Sequence, residues 1–355
     1  MADRAAWMIY GANGYTGRLA ALEATRHGLA PVLAGRSAGP IEALAAELGL
    51  PWRVFALEDS SAAEAALADI GVVAHCAGPF SATSRPMIDA CLKTRTHYLD
   101  ITGEIDVFVS AERRHTDAAR AGIVLCPGAG FDVIPTDCLA AVLKQSLPDA
   151  THLVLAFDAA GSMSRGTART MVESLRHGRR GGRVRQNGAI VEVPLANKRR
   201  LVDFTGGSAM AATIAWGDVA TAYFSTGIPN IETYARMPRA AALAAQALDP
   251  LRPLLACAPV HTWLRRLADR RTGPSKDVLR TGRSRFWGEA RNAAGARRTA
   301  RLVTANGYRL TADGVIMTAQ FLLTHAPAGG YYTPSRLMGA RCIEQLPGST
   351  PIVVD

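Results

Sequence analysis

The residues best suited to chemistry begin within the first forty positions. Met8-Ile9-Tyr10 runs into Gly11-Ala12-Asn13-Gly14-Tyr15-Thr16-Gly17, three glycines spaced three apart, and a helical pattern follows directly. Gly11 permits a tight turn, Gly14 lets backbone approach a pyrophosphate, and Gly17 lets the helix lie close to the strand. Free N–H groups at the helix N-terminus add partial positive charge. Such spacing is weak evidence alone, but a strand before it and a helix after it make it a dinucleotide turn. At the end of the second predicted strand, where an NAD site carries an acid for the ribose hydroxyls, the chain reads Leu33-Ala34-Gly35-Arg36-Ser37. An acid would repel a 2′-phosphate, whereas the Arg36 guanidinium can bind it through two charge-assisted hydrogen bonds and Ser37 can donate a hydroxyl. The cofactor expected from these residues is NADP(H).

Polar turns close three later strands. His75-Cys76-Ala77-Gly78-Pro79-Phe80 places Ala77, Gly78 and Pro79 on the nicotinamide side, with His75 an inward strand residue. Tyr98-Leu99-Asp100-Ile101-Thr102-Gly103-Glu104 and the run from Pro127 to Asp137 share the same sheet edge. Tyr98, Asp100 and Asp132 are the candidate catalytic residues, with Glu104 and Asp137 beside them. Paired acids relay a proton when burial raises one pKa. Against this, Asp137 can cap a helix and Asp100 can bond a loop. The segment 162–167 can hold an anionic or carbonyl-bearing group or act as a plain N-cap, and Arg165 and Arg169 can hold carboxylates. Residues 176–200 carry eight cations against Glu192, which reads as a solvated face or a grip for an acidic partner. Segment 240–256 and Trp263-Leu264-Arg265-Arg266 read as core by default, with an apolar substrate tunnel or peripheral membrane contact as alternatives.

Positioning these groups requires a scaffold. Strand signals at 7–10, 31–34, 53–55, 71–77, 97–101 and 123–126 alternate with helical ones at 15–27, 40–48, 61–68, 85–94 and 106–121. That alternation predicts crossover units and a doubly wound parallel sheet. After a helix at 135–145 the pattern changes. Strands are expected at 152–157, at 184–185 and 189–193 around Asn187-Gly188, and at 231–235, 284–291 and 297–303, giving a mixed or antiparallel sheet. Thr311 is read as the cap of a helix over 312–323, and a final helix over 335–345 returns to the first domain. The expected fold is α/β: a Rossmann domain from 1–128 plus 325–355, and a second α+β domain from 129–324.

The chain has 355 residues, room for two domains, and its 48% hydrophobic and 20% charged content excludes extended disorder. The net charge of +10 suits an anionic partner, yet no zinc-finger spacing or aromatic ribonucleoprotein signature points to nucleic acid. Six cysteines without a Cys-x-x-Cys pair predict no metal site and free buried thiols in a reducing cytoplasm. No secretory signal segment and no apolar run of about 18 residues is evident, so no transmembrane span is predicted.

Together Tyr10–Arg18, Ala34-Gly35-Arg36, Ala77-Gly78-Pro79-Phe80, Tyr98–Glu104 and Gly130–Asp137 resemble the saccharopine dehydrogenase-like oxidoreductases, in particular the trans-acting enoyl reductase branch. Weaker echoes are Arg165-Gly166-Thr167 and Gly273-Pro274-Ser275. The resemblance implies a Rossmann domain, a second α/β domain closing over the nicotinamide, NADP(H) and hydride transfer. It assigns phosphate-turn roles to Gly11, Gly14 and Gly17 and the adenosine-side arginine to Arg36; Asn13 stands where the family commonly has Thr. The expected reaction is reduction of a C=C bond in an apolar acyl substrate, free or carrier-bound. Saccharopine-type C–N chemistry and a non-catalytic NADP(H)-binding scaffold are the alternatives. A homodimer through the second-domain sheet is expected by analogy.

Overall fold

The computed structural model describes residues 6–159, 181–251, 258–270 and 273–355, together with helical positions 166, 168 and 172. The chain forms two compact units, Met1–Asp132 with Tyr308–Met338, and Val133–Gly307 with Gly339–Asp355.

In the first unit short apolar runs become β1 (Trp7–Tyr10), β2 (Val32–Gly35), β3 (Trp52–Val54), β4 (Val72–His75), β5 (His97–Asp100) and β6 (Val124–Cys126). β1, β2 and β4 are buried at every residue, as parallel strands covered on both faces must be. All pair in parallel in the order β3-β2-β1-β4-β5-β6, with the short strand Gly330–Tyr331 beyond β6. The order reverses at β1, between β2 and β4, where ligands of open α/β sheets bind. This is the doubly wound sheet expected from the alternation.

The last layer of this core comes from far along the chain. Helix Gly307–Thr324 contributes Ala312, Val315, Ile316, Ala319 and Leu322 to the cluster holding Ile9, Ala20 and Leu33. Arg309 clips it to the helix behind the glycine turn: its guanidinium donates to buried Glu23 at 2.7 Å and to Asp313 at 3.1 Å. The return segment therefore starts near 308 rather than 325, and residues beyond 338 belong to the second unit.

The second unit holds β7 (His152–Asp158), β8 (Gly182–Gln186), β9 (Ala189–Val193), β10 (Arg199–Phe204), β11 (Gly207–Thr213), β12 (Asn230–Arg236), β13 (Arg283–Arg291) and β14 (Arg297–Ala305). Its order is β10-β11-β12-β7-β13-β14, then the short strand Val353–Val354. The sheet is mixed: β12 and β7 run parallel, and the other neighbours on this path are antiparallel. Asn187 and Gly188, at φ of 48° and 82°, form the two-residue turn between β8 and β9. One face packs on helix Ile134–Ser146, where Leu143 comes so close to Gly288 that a Cβ there would lie 2.7 Å from its methyl. Over the other face β10 folds back. Arg200 lies 4.7 Å from the Trp287 ring, and Arg301 reaches Asp203 at 2.7 Å.

Several sequence expectations are corrected. The helix over 106–121 is two, Ile105–Glu112 and His115–Ala121, broken at Arg113–Arg114. Thr311 lies inside helix Gly307–Thr324, and its hydroxyl accepts from the Phe131 N–H at 3.0 Å instead of capping. The final helix is Pro334–Met338 plus a 3-10 turn, Cys342–Gln345, separated at Gly339 with φ of 98°. Leu243, Leu248 and Trp263 are exposed, so the default core reading of 240–256 and 263–266 does not hold for them. Within the cation-rich run, Arg185 is buried, its guanidinium 3.9 Å from the Tyr223 ring.

Candidate functional site

The carboxyl ends of β1, β2, β4, β5 and β6 converge on one edge of the first unit's sheet, and the polar turns lie there. At β1 the Gly11 and Ala12 N–H groups donate to the Ala34 carbonyl at 2.7 and 3.1 Å, tying the glycine turn to β2. Gly11 has a φ of 81°, and a Cβ there would lie 2.8 Å from Ala77. A Cβ on Gly17 would lie 2.3 Å from the Gly11 carbonyl oxygen. The turn and the helix are thus pressed together as only glycine allows. Gly14 is the N-cap of helix Tyr15–Arg26, with no side-chain cap and no acid in the first turn. A helix start with no side-chain cap and no acid in its first turn suits a phosphate.

Asn13, Arg36 and Ser37 are exposed, and Gly14, Tyr15 and Thr16 partly so. Tyr15 rests edge-on against Tyr308, ring centroids 5.0 Å apart. Ser37 is the N-cap of helix Ala38–Leu48, yet its side chain makes no cap bond. Its hydroxyl and the neighbouring Arg36 guanidinium therefore stand at the end of β2, where a 2′-phosphate belongs. The residues present fit NADP(H): Gly11, Ala12, Asn13, Gly14, Tyr15, Thr16 and Gly17 for the pyrophosphate, Arg36 and Ser37 for the adenosine side.

The turn after β4 is braced from beneath. Thr83 donates to the Ala77 carbonyl at 2.7 Å, so its oxygen accepts the Nε2–H of buried His75 at 2.9 Å. Burial lowers the His75 pKa to about 3, leaving a neutral ring. Ala77, Gly78 and Pro79, joined by a cis Gly78–Pro79 bond, sit on this support, directly against Gly11. His75 is the inward strand residue expected of it. Thr83 gave no sequence signal, being one hydroxyl in a helical stretch.

The acids separate into different roles. Asp100 is fully buried; one carboxylate oxygen accepts from Tyr98 Oη at 2.6 Å and the other from the Thr102 and Gly128 N–H groups, each at 2.9 Å. Burial raises its pKa to about 6 against these bonds, and the Tyr98 hydroxyl is held well above its ordinary range. The pair clamps the turns after β5 and β6 to each other. Glu104 accepts from the Phe80 and Ser81 N–H groups, both at 2.9 Å, and so caps helix Phe80–Thr94. Asp132 is partly exposed at the same edge, with Gly103 packed so closely that a Cβ there would lie 2.7 Å from its carboxyl oxygen. Desolvation pushes this carboxyl up to about 7.

Asp137 is in the second unit, buried in the first turn of helix Ile134–Ser146, where it accepts from the Ser225 hydroxyl; the N-cap is Val133. Arg165, Arg169 and most of the 162–167 segment lie outside the described residues. Glu104 was legible as a polar turn residue, but its capping partners are 23 and 24 positions away.

Residues 7–126 match the family described as the saccharopine dehydrogenase NADP binding domain. The trans-acting enoyl reductase of Mycobacterium tuberculosis (strain ATCC 25618 / H37Rv) is 31% identical over 185 residues, 48% of this chain and 44% of that protein. The trans-acting enoyl reductase of Mycobacterium leprae (strain TN) is 33% identical over 139 residues, 37% of this chain and 33% of that protein. The chain spans less than half the length of these curated relatives. Among solved structures, saccharopine dehydrogenase (L-Glu forming) from Saccharomyces cerevisiae has the same fold, with a TM-score of 0.64 at 12% identity over 98% of this chain and 99% of that one. Residues 7–126 thus match the saccharopine dehydrogenase NADP binding domain, and the chain resembles the saccharopine dehydrogenase-like oxidoreductases, trans-acting enoyl reductases among them.

Proposed function

We propose that this protein is a cytoplasmic NADPH-dependent reductase that saturates the C=C bond of an apolar enoyl substrate, carried as a thioester on an acidic carrier protein. The observation that carries this reading is an NADP-binding domain in a chain about a third identical, over its matched stretch, to trans-acting enoyl reductases. Five free cysteines among the described residues suit a reducing compartment, and a net charge of +10 suits an acidic carrier.

When bound, NADPH supplies the hydride. The chain's own residues orient and protonate. Gly11, Gly14, Gly17, Arg36 and Ser37 seat the dinucleotide, and Ala77, Gly78 and Pro79 form the wall on its nicotinamide side. The Tyr98–Asp100 clamp fixes the two turns that face substrate, so these two are positioning residues. Asp132 is the candidate acid: desolvation by the residues packed around it keeps its carboxyl protonated up to about pH 7, and the reduced double bond needs one proton at the carbon beside the carbonyl.

The test is NADPH oxidation with an enoyl thioester on a carrier protein and on a free pantetheine mimic. Turnover is expected, with kcat falling as pH rises through about 7 because the Asp132 proton is lost. Asp132→Asn should lower kcat about a hundredfold and remove that limb of the profile. Saccharopine-dependent reduction of NADP⁺ in place of enoyl reduction would move the assignment to C–N chemistry. Tight NADPH binding without turnover on either substrate would make the protein a scaffold.

A further inference from the structure

Two helices of the second unit turn apolar faces outward. In helix Arg239–Leu248 every exposed residue from 240 to 248 is alanine or leucine, with Leu243 at 48% and Leu248 at 52% exposure. At 3.6 residues per turn these positions cover about 160° of the helix. Helix Ala258–Asp269 exposes Trp263 at 60% and Leu267 at 44%, four residues apart on one side. Arg266 and Arg270, three and seven residues beyond Trp263, are exposed along the same flank, and exposed Arg239 opens the first helix.

From these two faces we propose that both helices lie in the headgroup region of an anionic membrane. The chemistry favours a bilayer over a protein partner. The face of the first helix offers no hydrogen-bonding side chain to match a polar partner, so it asks only for apolar cover. The second sets a tryptophan among cations, the arrangement that places an indole at headgroup depth and guanidiniums on lipid phosphates. No helix among the described residues is long and apolar enough to cross a membrane, so the surface lies along the bilayer. The chain's excess of ten positive charges draws the same way. This proposal is independent of the reaction catalysed.

The experiment is flotation of the full chain, loaded with NADPH, with phosphatidylglycerol-containing vesicles and with pure phosphatidylcholine vesicles. Partitioning is expected to be at least about tenfold stronger to the anionic vesicles and to weaken with added salt. The double variant Leu243→Gln/Leu248→Gln and the double variant Trp263→Gln/Leu267→Gln should each lower it about tenfold or more. Arg266→Gln/Arg270→Gln should remove most of the anionic preference. NADPH affinity and far-ultraviolet circular dichroism should be unchanged in all three, since the side chains are solvent-facing. Failure of the unaltered protein to float, or equal flotation of the apolar variants, overturns the proposal. So does a concentration-dependent dimer, seen by sedimentation, that the same apolar variants dissolve, for then the surface meets a second copy.

Discussion

Two helix N-termini at the same sheet edge are finished in opposite ways. The helix after β1 starts at Gly14 with no side-chain cap and no acid in its first turn. The helix after β4 starts at Phe80 with the Glu104 carboxylate across two of its N–H groups. Both follow a turn at the carboxyl end of a buried parallel strand, so both carry the same partial positive charge. In the proposed function the first receives the phosphates of NADPH; the second is neutralised by the protein itself and serves as a buttress for the turn at Ala77–Pro79. The contrast separates a helix start without a side-chain cap from a structural joint of similar local geometry.

Breaking the open terminus should have the largest effect. Gly17→Ala places a Cβ 2.3 Å from the Gly11 carbonyl and must push turn and helix apart. NADPH affinity, read by fluorescence titration, should fall about a hundredfold or more, since ångström-scale misplacement costs that much. Unchanged affinity would mean that the bare terminus is not the phosphate site.

Arg36→Ala sharpens the comparison at the adjacent strand. Loss of a charge-assisted contact is worth roughly 1.5–3 kcal/mol, so NADPH should weaken about ten- to a hundredfold while NADH binding hardly moves. Equal losses for the two would remove the 2′-phosphate assignment.

Glu104→Gln addresses the closed terminus. It keeps one acceptor and removes the charge, so chemical denaturation should show a loss of about 1 kcal/mol. NADPH affinity should stay within about twofold. A large fall in affinity with intact stability would show that the capped helix also takes part in binding.

How much of this was visible in the sequence depends on distance along the chain. The glycine turn and the Asn187-Gly188 hairpin were legible because each is a local device whose residues are neighbours. That Asp100 bonds a loop was also open to sequence reasoning, but its reach to Gly128 and the Glu104 cap were not, because a partner 23 to 28 residues away leaves no periodic trace; the Thr83 brace is local, yet a lone hydroxyl in a helical stretch has no distinguishing pattern. The hairpin of β10 and β11 was missed for a different reason. β10 reads Arg199-Arg200-Leu201-Val202-Asp203-Phe204, with charges at strand positions, and β11 is rich in small residues, so propensity was weak until β10 found Trp287 and Arg301. The helix over 307–324 was expected to begin at 312, because Thr311 looks like a cap until its hydroxyl is seen bonding Phe131.

Helix Gly307–Thr324 carries a consequence for biosynthesis. It supplies a layer of the core around Ile9 and Leu33, and Arg309 locks onto Glu23. During synthesis the glycine turn leaves the ribosome long before this helix, so the hydrophobic floor beneath the turn stays incomplete until residues 307–324 have followed. The β1–β6 sheet is thus begun early and finished only after the strands β7–β14 between its two parts have been synthesised.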